Sequence, residues 1–79
     1  MMDPAAKART DARFERLSRT TLSRGNCYER WAELWRTKDG SPANAEDVRD
    51  FYAQPRGQEH TVRAEGSSIF LTCACDSGD

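Results

Sequence analysis

The side chains able to do chemistry gather near the end of the chain. Cys73 and Cys75 stand two residues apart, His60 is the single histidine, and Cys27 lies far upstream. Three thiolates and one imidazole would satisfy a tetrahedral zinc ion. A zinc knuckle, however, carries its cysteines in a turn, and this pair falls in a strand-like run. The expectation is therefore that Cys73 and Cys75 pack as small apolar groups, with no metal and no cofactor bound. A thiol beside an imidazole is also a nucleophile beside its base. Here no third residue is in evidence to orient the histidine, and so short a chain has little to spare for a substrate cavity. The chain reads as a non-enzyme. Three cysteines, an odd number, suit reduced thiols in the cytosol better than a disulfide framework, and leave cross-linking of two chains as a further use.

The elements that must position these residues follow from capping and periodicity. Asp3-Pro4 opens a helix expected over about 4–19, with Phe14 and Leu17 on one side and Arg9, Arg13 and Arg16 on a neighbouring stripe. Asn26 and Glu29 stand where a capping box would start a second helix, about 27–37, whose Trp31, Leu34 and Trp35 repeat at helical spacing. Asn44 caps a third, about 45–54, with Glu46, Asp47 and Asp50 in its early turns and Pro55 as its stop. Gly66-Ser67 is a tight-turn pair between strand-like runs, so a hairpin is expected over about 60–75. In that register Ala64 faces Ile69, Val62 faces Leu71 and His60 faces Cys73, all on one side. Residues 76–79 read as a loose tail. The reading is a single α+β domain over 1–79, two or three short helices packed against a C-terminal antiparallel β-hairpin.

Composition narrows the function. The 79 residues carry a net charge of −1, which gives no overall attraction to nucleic acid or an anionic membrane. The distribution is uneven: residues 1–38 hold nine Lys/Arg against five Asp/Glu, and residues 39–79 hold three against eight. No apolar run approaches a membrane span and no apolar leader core opens the sequence, so a cytoplasmic protein is expected. Ten of the twelve basic residues are Arg and alanine is abundant, as GC-rich codons produce, which points to a GC-rich bacterium or its phage.

Helices followed by a hairpin give the element order of a winged helix–turn–helix. The third helix would then enter the major groove behind Glu46, Asp47 and Asp50, which repel phosphate. A protein partner suits the chain better. The expected function is stoichiometric occupation of a larger protein or protein complex, as by a phage or mobile-element inhibitor of host defence of the anti-CRISPR type. The alternatives are a small nucleic-acid-binding regulator using the basic N-terminal half, and a metal-stabilised adaptor. The contact residues expected are the basic stripe Arg9, Arg13 and Arg16, the aromatics Trp31 and Trp35, and the acidic set Glu46, Asp47 and Asp50. A homodimer is compatible with all of this.

Overall fold

Large residues two apart, not three or four apart, organise the middle of the chain. The computed structural model describes residues 4–54 and 59–76. Helix α1 (Pro4–Arg13) runs straight into strand β1 (Phe14–Arg24), and a short turn leads to β2 (Tyr28–Thr37). Helix α2 (Ala45–Tyr52) follows, then β3 (Glu59–Glu65) and β4 (Ser68–Asp76). The strands form one antiparallel sheet in the order β1-β2-β4-β3.

The α+β class stands as expected, and the β3–β4 pairing keeps the three expected residue pairs. His60 pairs with Cys73, Val62 with Leu71 and Ala64 with Ile69. Gly66 takes a φ of 60° at the first position of the turn, a conformation that costs a side-chain-bearing residue energy. The Gly66 and Ser67 carbonyls accept from the N–H groups of Ala43 and Thr37, at 2.9 and 3.0 Å. The turn is thus knitted to the end of β2 and to the loop after it.

Two helical expectations are overturned. The first helix stops at Arg13 instead of reaching 19, and residues 14–24 are strand. The second, 27–37, is strand β2 throughout. Its Trp31, Glu33, Trp35 and Thr37 are buried while Arg30 and Arg36 are exposed, an alternation that belongs to a half-buried strand. Trp31, Leu34 and Trp35 fit helical spacing only if Glu33 is set aside as a surface residue. Asn26 and Glu29 accordingly cap nothing: Asn26 lies in the β1–β2 turn, where Gly25 N–H bonds the Tyr28 carbonyl at 3.0 Å. An added Cβ at Gly25 would overlap the Tyr28 ring. The hairpin is therefore half of a larger sheet, and Asp76, expected in the tail, belongs to β4. Asp3, Pro55 and residues 77–79 lie outside the described residues.

Helix α2 lies against one face of the sheet, and α1 packs on α2. The core is Phe14, Trp31, Trp35, Phe51, Ile69, Leu71 and Cys73. Phe51 of α2 is its peg, fully buried, with edge contacts to the rings of Phe14 and Trp35 at 5.4 Å each. Helix α1 packs on α2, burying Ala6 and Thr10, and Gln54 Nε2 donates to Thr10 Oγ1 at 2.7 Å.

Helix α2 starts where Asn44 closes a full capping box: its side chain accepts from Asp47 N–H at 3.0 Å, and Asp47 Oδ2 accepts from Asn44 N–H at 2.9 Å. Asn44→Ala removes one half of that box. It should cost about 1 kcal/mol, read as a lower urea midpoint with an unchanged slope.

Candidate functional site

A buried carboxylate at the centre of β2 brings together the residues on which any surface must be built. Glu33 is 5% exposed and lies between Trp31 and Trp35 on the same side of its strand. Trp31 Nε1 donates to Glu33 Oε2 and Trp35 Nε1 donates to Glu33 Oε1, each at 2.8 Å. A buried indole needs an acceptor and a buried carboxylate needs donors, so the three groups satisfy one another. From β1, Arg19 lies over the Trp31 ring at 4.8 Å, with its Nε 4.0 Å from Glu33 and an Nη 3.6 Å from Glu29. Arg19 closes this cluster toward solvent.

The residues expected to bind a partner are distributed otherwise. Arg9 and Arg13 are on α1, but Arg16 is on β1, so the three form no single stripe. Arg9 grips Asp50 with two hydrogen bonds, at 2.9 and 2.7 Å. Arg13 donates to Asp47 Oδ1 at 2.9 Å, to Ser41 Oγ at 2.9 Å and to the Pro42 carbonyl at 2.8 Å. The expected basic and acidic surfaces thus meet each other. Trp31 and Trp35 are in the core. Only Arg16 and Glu46 of the expected set remain exposed without an ion pair among the described residues.

The thiols are spread as well. Cys73 is buried in the core, Cys75 packs against it, and Cys27 is exposed in the β1–β2 turn. His60 is opposite Cys73 in register, yet its Nε2 lies 3.3 Å from the Tyr52 carbonyl and its ring is stacked at a tilt on Tyr52. Among the described residues no group of three or more His, Cys, Asp or Glu is arranged to hold a metal ion. No helix there is long and apolar enough to cross a membrane.

What sequence reasoning missed is the sheet's second face. The helices leave it open, and two shallow grooves of about 470 and 440 Å³ run over it. The first crosses from Leu22 on β1, past Arg30, Thr72 and Ala74, to Thr61 and Glu59 on β3. The second is floored by Ala32 and Phe70. Leu22 and Phe70 are 58% and 37% exposed, while Arg63 lies over the Phe70 ring at 5.0 Å. Charges on this face balance. Arg36 pairs with Glu15 at 3.5 Å, Arg63 with Glu65 at 3.6 Å, and Arg30 and Glu59 line the first groove. The alternation of β2 was the available clue: a strand with one buried face must turn its other face somewhere.

Compared with known proteins, the chain matches no family model, no curated protein and no solved structure.

Two predictions come from this geometry. Glu33→Ala leaves two buried indole N–H groups without their acceptor, at about 1–3 kcal/mol for each. Glu33→Gln keeps one acceptor oxygen and turns an NH₂ toward the second indole, so it should fall between. Urea unfolding followed by tryptophan fluorescence gives the order. Acid should also destabilise the fold through Asp50 and Asp39. Hydrogen bonds from Arg9 hold the Asp50 carboxyl below its ordinary range, and those from the Ser41 N–H and hydroxyl do the same for Asp39. A carboxyl lowered in the folded state contributes stability above its unfolded value of about 4, and loses it as pH falls through the folded value. Thermal midpoints should drop below pH about 4, and Asp50→Asn should make that drop shallower.

Proposed function

We propose that this protein is a non-catalytic binding module whose partner is another protein, and that it works by stoichiometric occupation. The observation that carries this reading is the one-sided sheet. Helix α2, with α1 packed on it, covers one face, and the other presents apolar side chains among balanced charges. Tyr28, Leu22 and Phe70 are exposed while Ala32 and Leu34 are half-buried around them. Exposed apolar and aromatic groups ringed by polar ones are the makings of a protein contact. Phosphate recognition would want a surplus of arginine, and on this face Arg36 and Arg63 each have a carboxylate beside them. A small inhibitor of a larger machine, including one carried by a phage or mobile element, would act in this way.

A tagged copy should retain a partner in stoichiometric amount from a lysate of the source cells. Leu22→Glu with Phe70→Glu should keep the wild-type urea midpoint within about 0.5 kcal/mol, as surface changes do, and should release that partner. The reading is lost if the double variant retains the same proteins as the wild type. It is lost equally if the purified protein shifts duplex DNA with a steep salt dependence.

A further inference from the structure

The sheet has two edges, and only one is sheltered. On β3 the Val62 N–H donates to the Tyr52 hydroxyl at 3.2 Å, and the Tyr52 ring lies against His60. Helix α2 thus occupies that edge. On the far side, β1 runs for eleven residues, and every one after Phe14 is exposed. Among the described residues its backbone bonds no strand but β2. Helix α1 leaves it at the Arg13–Phe14 junction and packs on α2. An edge strand of this kind presents alternate N–H and C=O groups ready for another strand.

Its charge says which strand. Register shifts at Leu17 and Leu22 interrupt the pairing with β2, and each advances the strand by one residue. Arg16, Arg19 and Arg24 consequently stand opposite Trp35, Glu33 and Glu29, all on the same face. Arg19 is held by Glu29 and Glu33, whereas Arg16 and Arg24 have no ion pair among the described residues. A second copy of β1 fits poorly. Antiparallel pairing centred on Arg19 sets Arg19 against its own copy, and pairing centred on Thr20 sets Arg16 against Arg24. Like charges directly opposite are destabilising. A strand carrying carboxylates meets the reverse situation.

We propose that the outer edge of β1 takes up an extended acidic segment of another protein as a fifth strand, its carboxylates lying against Arg16 and Arg24. Backbone pairing supplies the hold and the arginines supply the selection. Leu17 and Leu22, 44% and 58% exposed at the two register shifts, favour apolar residues at the alternate positions of that segment. This rests on the protein-binding reading and gives the partner's chemistry.

The probe is a fluorescein-labelled peptide of about ten residues alternating Glu and Val, long enough to span the strand, with a Lys-Val counterpart as control. Anisotropy at low salt should show one-to-one binding of the acidic peptide, about tenfold or more tighter than the basic one. Bound peptide should slow hydrogen exchange at alternate β1 amides. Arg16→Glu with Arg24→Glu should invert the preference, so that the Lys-Val peptide now binds tighter. Inversion also shows that the variant is folded, and Arg16→Ala with Arg24→Ala should abolish the preference without inverting it. Equal binding of the two peptides by the wild type overturns the proposal. So does indifference to both pairs of substitutions, protection confined to β3 or β4, or a concentration-dependent dimer whose exchange protection falls on β1. If the peptide fails while Leu22→Glu with Phe70→Glu still releases the cellular partner, the strand-addition proposal alone is lost. If that double variant releases nothing, the broader reading goes with it.

Discussion

Two tryptophans in a chain of 79 residues pose a problem that hydrophobic burial alone does not solve. Each brings the largest apolar surface available and, with it, an N–H that must find an acceptor away from water. Glu33 answers both at once, one carboxylate oxygen to each indole. The arrangement requires Trp31, Glu33 and Trp35 to project from the same side of the backbone, which an extended strand does and a helix does not. The strand so defined becomes an inner strand of the sheet, with β1 and β4 on its flanks. Phe51 then seats on Trp35, and α2 is located. Arg19 completes the cluster from β1, lying over the Trp31 ring and near the Glu33 carboxylate.

A second layer of organisation is polar. The basic start of the chain and the acidic segment around α2 are joined by Arg9 to Asp50 and Arg13 to Asp47. Arg13 is the more consequential of the two. It reaches the loop after β2 through Ser41 and Pro42 and the first turn of α2 through Asp47. Its guanidinium is held charged above the ordinary range, chiefly by the hydrogen bond to Asp47. The Lys38 N–H donates to the Arg13 carbonyl at 2.9 Å, and Lys38 Nζ to that of Asp11 at 2.8 Å. The point where α1 turns into β1 is therefore tied on several sides, which fixes where the helix ends.

These internal pairings decide which charges face outward. Had the basic and acidic segments stayed apart, the molecule would carry two opposed surfaces and either would be a plausible contact. Joined, they leave the arginines of β1 and the charge-balanced open face as the prominent exterior features. Such a division of labour is common in small domains: one face of the sheet makes the core, and the other is available to a partner.

Local chemistry was legible in the sequence, and so was the β3–β4 pairing, set by a two-residue turn. Asn44 with Asp47 starts α2 because the four residues that make the box are contiguous. Gly66-Ser67 fixes the β3–β4 register because a two-residue loop leaves no freedom in which residues meet. The packing of Cys73 followed from its size and polarity, whereas Trp31 and Trp35, expected at a partner's surface, are taken into the core. The strand β2 was hidden because its two-residue period passes through a glutamate, and a glutamate counts as buried only once its partners are known. Those partners depend on the backbone that the glutamate itself helps to select. The strand β1 was hidden for another reason, since two register shifts break its alternation and align Arg16, Arg19 and Arg24 at irregular spacing. The pairing of Arg9 with Asp50, 41 residues away, has no local signature at all. Contacts closed by a few adjacent residues are written in the sequence, while those requiring distant segments to meet exist only after the sheet has brought the segments together.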